Sequence, residues 1–127
     1  TLNSDGGLLY EANKISKLIL LNSLNTHTND GCRSACTIAY ISGNTRYIYK
    51  DAELGFHQYS IARPNARVDK ATLLDLLSDQ QEDAKFFQKR GASKTFTDQM
   101  YKYDAGGMWY PPIYDLKHYG VVHKILE

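Results

Sequence analysis

Apolar positions Leu8, Leu9, Ala12, Ile15, Leu18 and Ile19 follow a Gly6-Gly7 pair at helical spacing, which predicts a helix over about residues 8–24. Residues 26–30 are short, polar and partly β-branched, and read as a strand or a loop. A small apolar pattern over 34–42 predicts a second helix ending at Gly43, with Ser34 in its first turn. Tyr47-Ile48-Tyr49 and Leu54-Gly55-Phe56-His57 read as two strands around a turn at Lys50-Asp51-Ala52, so His57 closes the second. A long amphipathic helix is expected from an N-cap at Asp69 to Arg90, ended by Gly91, with Leu73, Leu74, Leu77, Ala84 and Phe87 on its apolar face. Shorter helices over 94–103 and 113–118 and a last strand over 121–125 complete the pattern. Strands that alternate with helices in this way predict an α/β architecture with a largely parallel sheet.

Composition narrows the picture. The 127 residues, 43% hydrophobic, suit one domain over 1–127 with a single core. The formal net charge is +1 with both signs interspersed, so no basic stripe exists to attract a phosphate backbone, and nucleic acid is not an expected partner. The longest apolar runs, such as Leu18 to Leu21, are far too short to span a bilayer, and direct membrane insertion by this segment is not expected. The opening Thr1-Leu2-Asn3-Ser4 reads as the end of a strand, so further strands are expected upstream. Cys32 and Cys36 do not have CxxC spacing, and His27, His118 and His123 show no ligand pattern; no metal and no cofactor are expected.

Acyl transfer needs a hydroxyl nucleophile, a base within reach of it, and backbone N–H groups aimed at the developing oxyanion. Three segments offer these parts. Ser4-Asp5-Gly6-Gly7 stands at a strand-to-helix junction, where residues without Cβ let the backbone approach a ligand closely. Gly31-Cys32-Arg33-Ser34-Ala35-Cys36 sets a serine among small residues at a helix start, where unpaired N–H groups favour nearby negative charge; the same position is the ordinary place of an N-cap. Leu54-Gly55-Phe56-His57-Gln58 presents a histidine from an apolar strand. A glycine pair, an isolated N-cap serine or a lone histidine each has a bland structural explanation, but their succession in this order is much less expected by chance.

This succession resembles the proteolytic subunit of Clp protease and, more closely, periplasmic Clp-like proteins with a Cys-x-Ser-Ala-Cys motif. The resemblance runs from Leu2-Asn3-Ser4-Asp5-Gly6-Gly7 through residues 32–36 and Gly55-Phe56-His57-Gln58 to Tyr119-Gly120-Val121-Val122. It implies a crotonase-like fold of stacked strand-strand-helix units, here without its first strands. It also implies a serine peptidase or hydrolase that cleaves amide or ester bonds through an acyl-enzyme. Ser34 would be the nucleophile, His57 the base, and the N–H groups of Gly7 and Ala35 the oxyanion hole. A peptide or protein substrate, a homo-oligomeric ring or stack and an extracytoplasmic, periplasmic location follow from the same likeness.

The acidic member departs from the pattern. Counting back from Tyr119-Gly120 puts Met108 at its place, which leaves Asp104 as the candidate orienter and Asp115 as a poorer one. Cys32 and Cys36 admit three readings: small buried packing groups, a local disulfide, or a cysteine nucleophile. Packing is the expected role, and an oxidising compartment would favour the bridge. Lys14 and Lys17 lie off the apolar stripe of the first helix, so a serine-lysine dyad is not expected. The competing functions are a catalytically inactive crotonase-fold oligomeric binding module, favoured by the departure at position 108, and an acyl-CoA enzyme of the same fold, which would not need the Ser-His pair.

Overall fold

In the computed structural model, which describes residues 1–58, 70–103 and 106–127, the helical spacing after Gly6-Gly7 becomes α1 (Leu9–Leu21). Its buried Ala12, Ser16 and Ile19 form one stripe, and the Ser16 hydroxyl meets that of Ser42 in a short hydrogen bond. The helix stops three residues early because Asn22 caps it, its side-chain amide donating to Leu18 O, and Ser23 turns left-handed. The chain then runs through β1 (Thr26–Thr28), β2 (Gly31–Arg33), α2 (Cys36–Ile41), β3 (Arg46–Tyr49), β4 (Glu53–Gly55), α3 (Lys70–Lys89), α4 (Lys94–Gln99), α5 (Ile113–His118) and β5 (Lys124–Leu126).

The strands form two parallel sheets among the described residues, one in the order β1-β3-β5 and one pairing β2 with β4. The mixed α/β layering is as expected, and several boundaries are not. β2 occupies residues 31–33, for which the pattern predicts no strand, and α2 begins at Cys36 and not at Ser34. The fourth helix ends at Gln99, short of residue 103. Val121 and Val122 are not strand: both N–H groups close onto Leu116 O as the end of α5, which buries the two side chains before β5 starts at Lys124. The expected N-cap at Asp69 lies outside the described residues, and Gly91 at φ +107 ends α3 as expected.

Every residue of α2 is buried, and around it Phe56, Phe87, Phe96, Met100, Leu116, Val121 and Val122 close the core. Phe56, Phe87 and Phe96 pack mainly edge-on or stacked, with Phe56 and Phe96 centroids 5.0 Å apart, and Trp109 lies 5.5 Å from Phe96. Each fully buried ring of this kind contributes about 2 kcal/mol. The long helix departs from expectation here. Of its predicted apolar face only Phe87 is buried, while Leu73, Leu74 and Leu77 are about half exposed, because the N-terminal half of α3 adds none of its leucines to the core.

The core also holds a cation. Arg46, 1% exposed, spends all five guanidinium N–H groups on backbone carbonyls: Val121 at 2.7 Å, Ile41 at 3.3 Å, Gly43 at 3.1 Å, and Arg90 and Gly120 at 2.9 Å each. These carbonyls belong to the C-terminal ends of α2, α3 and α5, where helix dipoles concentrate negative partial charge. Arg90 adds bonds to Ile41, Ser42 and Gly43 from the other side. Burial, with Arg90 beside it, lowers the Arg46 guanidinium to about 10, so it stays charged at neutral pH. Burial together with both arginines lowers His123, whose Nδ1 accepts from the Arg46 N–H.

Candidate active site

The parallel pairing of β2 with β4 decides where the chemistry-bearing residues meet. Arg33 stands opposite Gly55 in register, so the residues that follow each strand, Ser34 on one side and Phe56-His57 on the other, emerge at the same end of the sheet. The Ser34 N–H donates to Gly55 O at 2.8 Å, and the Thr37 N–H and hydroxyl both donate to Ser34 O. Ser34 itself has φ +55, a left-handed conformation rare for a residue with a side chain. It is therefore not an N-cap in the first turn of a helix. It is the apex of a tight strand-to-helix turn that projects its side chain.

Ser34 and His57 line one small cavity of about 10 Å³ with Thr37, Ile38, Phe56, Met100 and Tyr101, room for a single water at most. Among the described residues no hydrogen bond joins Ser34 Oγ to the imidazole. The His57 ring turns its Nδ1 toward the carbonyl of Gln58, a contact that suits the tautomer with the proton on Nδ1 and with Nε2 free to accept. The Phe56 N–H and carbonyl exchange hydrogen bonds with Trp109 at 2.9 and 2.8 Å, and the Gln58 N–H donates to Tyr103 O at 2.7 Å. His57 is thus held by its neighbours on both sides rather than by a continued strand, which is why β4 ends at Gly55.

Gly6 and Gly7 adopt φ +110 and +149. A Cβ on Gly6 would lie 2.9 Å from both Arg33 O and Ser34 Cβ, so the loop seats directly against the serine turn. The Gly7 and Ala35 N–H groups have no hydrogen-bond partner among the described residues, and both residues border a second, apolar cavity of about 140 Å³ lined also by Leu2, Leu8, Ile15 and Ala39. Gly6→Ala should cost about 2 kcal/mol from strain and contact together. Gly7→Ala, whose Cβ would meet nothing within 4 Å, should cost less; urea unfolding of the two variants reads the difference.

Arg33 ties the two loops together. Its guanidinium bonds Asp5 at 2.8 Å and Glu53 at 2.6 Å, and Glu53 in particular raises its pKa further above the ordinary range. Behind the serine cavity, burial lifts the Asp83 carboxyl to about 6, and burial with Asp83 nearby raises the Tyr101 hydroxyl.

The cysteines are not the packing pair that was expected. Cys32 in β2 and Cys36 at the first residue of α2 form a disulfide that brackets Ser34, with Cα atoms 5.3 Å apart, because the tight turn brings a strand end and a helix start within bonding range. As a disulfide, neither sulfur is available as a nucleophile. Met108, at the expected place of the acid, packs its side chain onto the bare backbone of Gly55. Asp115 is exposed on α5, and Asp104 lies outside the described residues. Lys14 sits over the Tyr10 ring at 4.3 Å on an exposed helix face. Among the described residues no group of three His, Cys, Asp or Glu side chains could hold a metal, and no helix is long and apolar enough to cross a membrane.

No protein-family model and no curated protein matches the sequence. Solved structures do. The chain superposes on ClpP1 from Listeria monocytogenes with a TM-score of 0.73 at 16% identity, covering 98% of this chain and 70% of that one. The chain has the ClpP fold. A point-substituted form of the same ClpP1 gives a TM-score of 0.76 at 15% identity with the same coverage. At that identity the likeness is one of fold alone.

Proposed function

We propose that the chain is a serine-type hydrolase of amide or ester bonds, with a peptide or protein as substrate. The observation that carries this reading is the left-handed turn at Ser34, which borders a cavity shared with His57 and adjoins the N–H groups of Gly7 and Ala35, neither of which has a partner among the described residues. Strain of this kind persists only where the surroundings over-determine it, and it exposes a nucleophile with an oxyanion site beside it.

In the proposed reaction Ser34 Oγ attacks the substrate carbonyl carbon and passes its proton to His57 Nε2. The carbonyl oxygen, now negative, takes hydrogen bonds from the Gly7 and Ala35 N–H groups. Collapse of the tetrahedral intermediate expels the amine or alcohol, which receives the proton from His57. Water then attacks the acyl-enzyme with His57 as base, releasing the acid. Asp104 is proposed as the group that steadies the imidazolium; its chain neighbour Tyr103 hydrogen-bonds the backbone beside His57, which supports keeping it. No cofactor or metal enters these steps.

The half-exposed Leu73, Leu74 and Leu77 support assembly as a homo-oligomer, and the disulfide supports an extracytoplasmic, periplasmic setting where such bonds persist. The competing reading, an inactive crotonase-fold binding module, is favoured by Met108 at the expected place of the acid and by the absence of a Ser34–His57 hydrogen bond among the described residues. Treatment with a fluorophosphonate followed by peptide mass spectrometry separates the two. Covalent labelling on Ser34 is the expected result, and a folded protein that acquires no label at Ser34 would sink the hydrolase reading.

A further inference from the structure

We propose that the Cys32–Cys36 disulfide is a positioning element for Ser34, making the reactivity of the site dependent on the redox state of this one bond. The inference rests on the reading of Ser34 as nucleophile and asks what holds it.

The bridge spans the turn that holds the reactive parts. Cys32 is anchored in β2, opposite Leu54 in β4 and bridged to Ser4 on its other side, and its side chain is fully buried. Cys36 opens α2. Between them lie only Arg33, which reaches Asp5 and Glu53, Ser34 with its positive φ, and Ala35, whose N–H has no hydrogen-bond partner among the described residues. Closing so short a loop constrains the unfolded chain less than a long one would, so the bond's contribution to global stability is small for a disulfide. Its main effect is local.

What it opposes can be read from the backbone. Ala35 already has right-handed helical angles, φ −55 and ψ −28, and no side chain caps the start of α2. If Ser34 relaxed from its left-handed conformation into the same region, α2 would propagate backwards by a residue. Its side chain would then turn away from the His57 cavity, and the Ala35 N–H would be redirected along the axis of α2 as one of its first-turn donors. The bond fixes the distance from the strand end to the helix start and thereby blocks that relaxation. A dithiol reductant removes the block by supplying two electrons and two protons: the S–S bond breaks, two thiols form, and the reductant leaves as its own disulfide.

The test compares fluorophosphonate labelling of Ser34 in the oxidised protein, in protein reduced with dithiothreitol, in the same protein reoxidised, and in the Cys32→Ala/Cys36→Ala variant. Intact mass establishes the state of the bond, and thermal unfolding is followed in parallel. We expect the reduced, folded protein to label about 100-fold more slowly, as a displaced nucleophile would. Reoxidation should restore the rate, and the double variant should match the reduced protein. Reduced or variant protein that labels at the oxidised rate overturns the proposal. So does a loss of labelling that only follows loss of the thermal transition, since the bond would then be holding the fold and not the turn. Oxidised wild-type protein that fails to label at all removes the nucleophile reading first, and this inference with it.

Discussion

Replacing Arg46 with methionine should lower the unfolding free energy by about 4 kcal/mol. The two side chains are similar in bulk, so the change isolates charge and hydrogen bonding from cavity formation. Removing a buried charge has a favourable side, because the guanidinium was desolvated in the core, as its lowered pKa reflects. In a buried ion pair that gain often wins when both partners become apolar. Here the partners are backbone carbonyls and remain. Among the described residues those of Val121, Arg90 and Gly120 have no other donor, and each buried unsatisfied acceptor costs about 1 to 3 kcal/mol. The unsatisfied carbonyls therefore decide the sign. Arg46→Lys, with three donors for five acceptors, should fall between, and urea denaturation of the three proteins measures the order. A methionine variant within 1 kcal/mol of wild type would mean that the three helix ends find other donors when Arg46 is gone.

Replacing His57 with alanine should slow fluorophosphonate labelling of Ser34 by about 10³-fold while leaving the unfolding free energy within about 0.5 kcal/mol. His57 contributes its imidazole to the edge of a small cavity rather than to the core, so little packing is lost. What is lost is the acceptor for the serine proton. Without it the hydroxyl must attack at its own high pKa, and the remaining rate comes from the N–H groups and the exposed turn alone. Labelling that proceeds at the wild-type rate in the alanine variant would show that the serine is activated by some other group. The measurement needs only the rate constant at Ser34 and an unfolding curve for each variant.

Much of this was legible along the chain because local rules act locally. The 3.6 spacing after Gly6-Gly7, the glycine that ends α3 and the six residues of α5 need only their own neighbours to be read. The order of Gly6-Gly7, Ser34 and His57 was visible too, and so was the α/β class. What failed, failed where a residue's role depends on distant chain. Leu73, Leu74 and Leu77 have a core pattern without a core to face, since periodicity reports an apolar stripe and not what covers it. Ser34 was expected inside a helix because its small neighbours have helical preferences. The pairing of β2 with β4, whose partners Gly31 and Glu53 stand 22 residues apart in the chain, overrode them.

The sequence by itself determined most of the elements and their order, though not β2, and the three segments with chemical potential. The tertiary structure decided that β2 pairs in parallel with β4, which sets Ser34 and His57 at one sheet end, and that Gly6 lies against the serine turn. It also decided that Cys32 and Cys36 bond across that turn and that Arg46 is buried. Arg46 carried no signal in the sequence, where an arginine at a strand start reads as solvated. Only the convergence of three helix ends makes its charge at home in the core, because the carbonyls that satisfy it come from residues 41, 43, 90, 120 and 121 and no local pattern joins them.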